Sequence, residues 1–125
     1  LNQAGPLSQA SRGPSDEKVK DMMAYIGAHY SENITVDTLA RAAHVSRRVC
    51  FRLFQDNLHM PPVEYIRSVR LKKAEQMLRF SKESITQIGY ACGLGSSSYF
   101  GKLFHEQYGC SPGAYRQKWH DRDIN

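Results

Sequence analysis

The chain has 125 residues, room for one ordinary domain or two very small ones. Its 17 Lys and Arg against 12 Asp and Glu leave a net charge of +5, which suits a polyanionic partner. No apolar run approaches the roughly 18 residues of a membrane span, and the N-terminus lacks a signal-like apolar region. No membrane partner is therefore expected, and the expected setting is the cytoplasm. Cys50, Cys92 and Cys110 are an odd number without CxxC or Cys/His spacing, and read as small hydrophobes in a reducing compartment. No metal, cofactor or catalytic group is expected.

Residues 1–14 are polar, carry Gly and Pro, and lack a period, so they read as a linker or tail. The chain opens on Leu1 and is expected to be a piece of a longer protein. A helix follows, with Ser15 as its N-cap, Asp16 and Glu17 at its positive end, and Val19, Met23, Ile26 and Tyr30 as its apolar face. "ITVDTLARAAHVSRRVCFRLFQDNL" reads as two short helices around a break near 43–45, the second capped by Ser46. A longer helix starts near Pro62, where proline is tolerated, with Ile66, Val69, Ala74 and Met77 turned inward. After "SKE", the stretch "SITQIGYACGLGSSSYFGKLFHEQYG" repeats the helix–break–helix plan, and "SPGAYRQKW" adds a final turn or short helix. The last residues, "HDRDIN", are expected to fray. The fold class is all-α, divided as 1–14 tail, 15–62 first subdomain, 63–80 connecting helix, 81–118 second subdomain and 119–125 tail.

The second helix–break–helix is a copy of the first. At an offset of 50, Ser46/Ser96, Leu53/Leu103, Phe54/Phe104, Pro62/Pro112 and Tyr65/Tyr115 are identical. Upstream the offset falls to 49, in Val36/Ile85, Leu39/Ile88 and Ala42/Ala91, so the second copy has one extra residue at its break, among Gly93 and Gly95. Each copy follows the helix-turn-helix plan. A connecting helix of roughly 17 residues is about 25 Å long, so two second helices flanking it are expected about one DNA turn apart, near 34 Å.

The exposed faces of the copies differ. Cys50, Leu53 and Phe54, and their equivalents Phe100, Leu103 and Phe104, form the expected buried stripes. Opposite them the first copy presents Arg47, Arg48, Phe51, Arg52 and Gln55, with four arginines and no acid between Arg41 and Gln55. Arginine bonds guanine O6 and N7 in pairs and glutamine pairs with adenine, so this face suits base reading. Phe51 either touches a thymine methyl or packs beneath a neighbouring element. The second copy presents Ser97, Ser98, Gly101, Lys102 and His105, suited to contact and orientation more than to discrimination. Tyr99 is expected in the core, with a phosphate contact as the alternative. Arg70, Lys72 and Arg116 are phosphate candidates, as are backbone N–H groups at the helix starts marked by Thr35 and Ser84.

Residues 15–117 resemble the DNA-binding domain of the AraC/XylS family of bacterial transcription regulators. The resemblance rests on Ile88, Gly93, Ser98, Tyr99, Phe100, Phe104, Gly109, Ser111, Pro112, Tyr115 and Arg116, on "LARAAHVSRRVCFRLF", and on Tyr65, Arg70 and Ala74. It implies seven helices in two helix-turn-helix subdomains bridged by a long helix, with base contacts from the helices that hold 47–55 and 97–105. It also implies double-stranded DNA and RNA polymerase as partners, and an effector-sensing or receiver domain upstream. His59, Gly89 and Leu94 depart from the family pattern, and His59, in place of the usual Gly, is expected to change how its helix ends. The function expected is sequence-specific DNA binding that controls transcription initiation, often as an activator. A module that meets an acidic protein partner is the second reading and an enzyme the third.

Overall fold

The computed structural model describes residues 14–124, in seven helices with no strand among them. They are α1 (Pro14–His29), α2 (Val36–Ala43), α3 (Arg47–Leu58), α4 (Pro62–Phe80), α5 (Ile85–Ala91), α6 (Ser97–Tyr108) and α7 (Pro112–Ile124). Among the described residues the chain forms two compact units, 14–29 with 34–65, and 30–33 with 66–124; their boundary falls inside α4.

In the first unit α1 packs on α2 and α3. Its core is Val19, Met22 and Ile26 of α1, Leu39, Ala40 and Ala43 of α2, and Cys50, Leu53 and Phe54 of α3. Tyr65 leans on Phe54, with ring centroids 5.8 Å apart. Met22 is fully buried where Met23 was expected. Steps of three and four residues fall about 60° to one side and about 40° to the other of the starting position, so a helical period alone does not separate them. The helix also begins one residue before Ser15, at Pro14, a position that suits a residue with no N–H to bond. The expected tail 1–14 lies, apart from Pro14, outside the described residues.

In the second unit Leu71, Ala74 and Leu78 of α4 face Ile88, Cys92, Leu94, Phe100, Leu103 and Phe104. Leu71 and Leu78 are buried on this face; Met77, expected to turn inward, is half-buried and packs against the same core, while Val69 is only half-buried. The last helix runs to Ile124, so residues 119–124 are helical where a fraying tail was expected.

Within each unit the repeat is visible residue by residue. Thr35 and Ser84 cap α2 and α5 with the same reciprocal box, each side chain accepting from the backbone N–H three residues on at 3.1 Å. Ser46 and Ser96 cap α3 and α6 by the one-way bond, each side chain accepting from the backbone N–H three residues on, of Val49 and Tyr99. His44 and Gly93 hold equivalent left-handed positions after the first helix, at φ 58° and 78°. Val45 and Leu94 then each donate back to the fifth residue before them, at 2.9 and 2.8 Å. The extra residue of the second copy is therefore Gly95, at φ 77°. A Cβ on Gly93 would lie 2.9 Å from the Tyr30 carbonyl oxygen, so glycine is needed there for space as well as for φ.

Two departures from the family pattern acquire physical content. His59 ends α3 in the left-handed conformation at φ 57°, its N–H donating to the Gln55 carbonyl at 3.1 Å. Gly109 ends α6 likewise at φ 80°, with its N–H on the His105 carbonyl at 2.8 Å. The altered helix end expected of His59 is thus absent; the histidine accepts the strained φ instead. Gly89 is buried, and a Cβ there would lie 3.0 Å from the Gly95 carbonyl oxygen and 3.2 Å from the Phe100 ring. It lets the two helices of the second copy approach closely.

Candidate nucleic-acid interface

Helix α3 separates cleanly into two faces. Cys50, Leu53 and Phe54 are buried; Arg48, Phe51, Arg52 and Gln55, at i, i+3, i+4 and i+7, are all exposed. Phe51 is 43% exposed, so of its two expected fates the buried one is excluded within its unit. The sequence places two cations, an aromatic ring and an amide on one turn-to-turn stripe, and the buried triad on the other side fixes its direction.

Arg47 stands apart from this stripe. Its Nη1 donates to Asp37 Oδ1 at 2.8 Å. That hydrogen bond, with the carboxylate charge behind it, raises the guanidinium pKa. Counting acids between Arg41 and Gln55 missed this partner because Asp37 sits on the first turn of the preceding helix.

Helix α6 repeats the geometry with weaker chemistry. Phe100, Leu103 and Phe104 are buried, while Ser97, Ser98, Lys102 and His105 are exposed; Gly101 stands in the place of Phe51. Tyr99, expected in the core, is 47% exposed. It precedes Phe100, and only one of two adjacent helical positions can occupy the centre of a buried stripe.

The phosphate candidates divide. Arg70 is committed inward: its Nε donates to the Tyr30 carbonyl at 2.7 Å and its Nη2 to the Glu32 carbonyl at 2.6 Å. Burial lowers its pKa. Arg116 is committed in the same manner, to the Leu78 and Ser81 carbonyls at 3.1 and 3.2 Å. Both arginines satisfy carbonyls at the end of a helix that have no partner inside it, so neither guanidinium is free in the way the sequence led one to expect. Lys72 remains exposed, 3.9 Å from Glu75. The hydroxyls of Thr35 and Ser84 are occupied as caps, which leaves only first-turn N–H groups beyond them.

Sequence reasoning missed a polar cluster in the second unit. Glu75, only 4% exposed, accepts from the Tyr115 hydroxyl at 2.6 Å and pairs with Arg79 Nε at 2.7 Å. The Arg79 guanidinium lies over the Phe80 and Trp119 rings, 4.4 and 4.8 Å from their centroids. Tyr115 also packs edge-on against Phe104 of α6 at 5.2 Å. The available signal was the i, i+4 pair Glu75–Arg79 beside Ala74 and Leu78, which puts the carboxylate on the apolar side of α4. The thiols are plain hydrophobes by contrast. Cys50 and Cys92 are buried, each 3.6 Å from a methionine sulfur, and burial pushes Cys92 up to about 11.

Residues 39–118 match the model of a helix-turn-helix domain family. The chain is 33% identical over 103 residues to the transcriptional activator RhaS of Enterobacter sp. (strain 638), covering 82% of this chain and 37% of that protein. The chain thus spans little more than a third of the length of the curated relatives it matches. A transcriptional regulator from Chromobacterium violaceum with an AraC-type DNA-binding domain superposes with a TM-score of 0.80 at 31% identity, covering 84% of this chain and 94% of that one. The DNA-binding domain of the global transcriptional factor AdpA, solved in complex with a target DNA, superposes at 0.77 with 31% identity, covering 89% and 96%. No described helix is long and apolar enough to cross a membrane. The two capped helix-turn-helix copies, the family match and these likenesses agree: the chain belongs to the AraC-type family of transcription regulators and is a DNA-binding domain of that family.

Proposed function

We propose that α3 and α6 enter successive major grooves of one duplex, and that α3 does most of the sequence reading. The observation that carries this reading is the exposed stripe Arg48, Phe51, Arg52 and Gln55, aimed by the buried triad behind it. Arg48 and Arg52 each offer a guanidinium fork to guanine, Gln55 an amide to adenine, and Phe51 a ring to a thymine methyl. Ser97, Ser98, Lys102 and His105 of α6 add contact and orientation with little base preference. Lys72 and the first-turn N–H groups after Thr35 and Ser84 meet phosphates. Arg70 and Arg116 hold helix-end carbonyls and are assigned no phosphate, and Arg47 is held by Asp37.

The curated relatives are longer proteins, so this chain acts as the output part of a regulator whose remaining length senses an effector or receives a signal. Its proposed role is control of transcription initiation, as an activator that works alongside RNA polymerase in the bacterial cytoplasm. It is proposed to bind DNA without catalysing a reaction on it.

Selection from a random duplex library is expected to return an asymmetric site with two half-motifs about one helical turn apart. Arg48→Ala and Arg52→Ala should each relax the first half-motif at particular positions, by about 1–3 kcal/mol. Lys72→Ala should weaken all sequences alike and reduce the salt slope by about 1. If both arginine variants select the wild-type site unchanged, α3 is not the reader.

A further inference from the structure

The first turn of α3 carries two adjacent cations, Arg47 and Arg48. A cation there faces the positive end of the helix dipole, so helix formation does not explain either residue. Arg48 lies on the exposed stripe. Arg47 instead donates to Asp37 at 2.8 Å, with 59% and 55% of the two side chains exposed. An ion pair this open to water contributes little to stability, so its presence needs another reason.

The internal repeat supplies one. At the repeat offsets Asp37 corresponds to Thr86 and Arg47 to Ser97, both exposed and uncharged. Acid and base are present together in one copy and absent together in the other. An aspartate that served only the dipole of α2 would have no cause to accompany a change at the start of α3. The second copy caps its own first helix with Ser84 and Gln87 and needs no acid there.

We propose that Asp37 is a specificity-determining residue, which sequesters Arg47 at the mouth of α3 and so lowers affinity for duplexes of arbitrary sequence. The proposal rests on the reading of α3 as the base-reading helix. A guanidinium donates to a carboxylate or a phosphate oxygen through the same N–H groups, so Asp37, which takes the Arg47 Nη1 donor, competes within the chain with any phosphate that reaches Arg47. On an unmatched duplex, phosphate contacts supply essentially all of the binding, and no base contact fixes the register of α3. A released Arg47 there takes whichever phosphate is nearest. On the matched site, Arg48, Arg52 and Gln55 fix the register, and Arg47 stays on Asp37.

The test is fluorescence anisotropy of the 125-residue chain on its selected duplex and on a scrambled duplex of equal length, across about 50–200 mM salt. The variants are Asp37→Asn, Asp37→Thr (the residue of the second copy), Arg47→Ala, and Asp37→Asn with Arg47→Ala. Both Asp37 variants are expected to keep the wild-type melting temperature and to bind the scrambled duplex about threefold tighter or more, with a salt slope steeper by about 0.9. Affinity for the selected duplex should move less, and the double variant should lose the gain. The proposal is overturned if both Asp37 variants leave scrambled-duplex binding unchanged. It is equally overturned if the gain survives in the double variant, since Asp37 would then act only as a repelling charge. Weaker binding to the selected duplex would overturn it too, by making Asp37 a support for a productive Arg47 contact. A wild-type chain that binds neither duplex overturns the reading of α3 itself, and this proposal with it.

Discussion

Helices α3 and α6 are built on one plan and turned to different uses. Each is capped by a serine, buries residues four, seven and eight of its length, and ends in a left-handed residue. What differs is what each turns to solvent: three arginines, a phenylalanine and a glutamine on α3, against serines, a lysine and a histidine on α6. Packing constrains the repeat far more than contact at the exposed face does. A buried phenylalanine in a dense core has few substitutes, whereas an exposed position is free to take whatever its own contact requires.

The largest expected effect probes what the copies share. Phe104→Ala should destabilise the second unit by about 3–5 kcal/mol, the range for removing a buried ring. Trp119 is the chain's one tryptophan and lies near Tyr115, so its fluorescence reports on that unit. Phe54→Ala, the same change in the first copy, should lower helix content on chemical denaturation with a smaller shift in the tryptophan signal. Equal tryptophan shifts from both would show that the copies do not unfold as separate units.

The second effect separates the copies at their breaks. Gly93→Ala should cost about 1–3 kcal/mol, since it adds left-handed strain to a contact 2.9 Å from the Tyr30 carbonyl oxygen. Its counterpart His44→Gly should be close to neutral, because it relieves strain while loosening the unfolded chain. A tolerated Gly93→Ala in a denaturant titration would remove the close approach from the account of the second break.

Next comes ionisation. Cys92 keeps its proton to about 11 in the folded chain against 9.0 when unperturbed. Below pH 9 neither state ionises; between about 9 and 11 the unfolded chain releases a proton that the folded chain retains. Stability of the second unit should therefore fall as pH rises through that window, on the order of 2–3 kcal/mol. Cys92→Ala should flatten this dependence in a pH series of melting curves, and an unchanged slope would assign it to the tyrosines instead.

The smallest effect compares the helix ends. His59→Gly should be close to neutral, as at His44, while Gly109→His should cost the second unit up to about 1 kcal/mol because its φ of 80° lies further from the left-handed minimum. Thermal melts of the pair would test whether the two ends are truly equivalent.

Much of this was legible in the chain itself. Turn and cap residues act locally, so Thr35, Ser46 and Ser84 marked their helices in the sequence, and the repeat paired Ser96 with Ser46. The repeat aligned the buried triads without any coordinates, because a stripe at i, i+3 and i+4 must lie on one side of a helix. Even the single inserted residue was detectable, as a change of offset, although only backbone geometry assigned it to Gly95.

What the tertiary structure decided was the fate of charged and borderline residues. Met22 against Met23, and Leu71 against Val69, depend on which side of the apolar arc meets a neighbouring helix. Arg70 and Arg116 read as free cations until the carbonyls at two helix ends were seen to hold them. Glu75 carried no assignment in the sequence; its burial follows from Tyr115, 40 residues away, donating to it. Arg47 read as one of five equivalent face residues until Asp37 came within 2.8 Å. The physical reason is common to all of these. Helical period and capping are properties of neighbours in sequence, whereas the partner of a long charged side chain is set by what the fold brings within its reach.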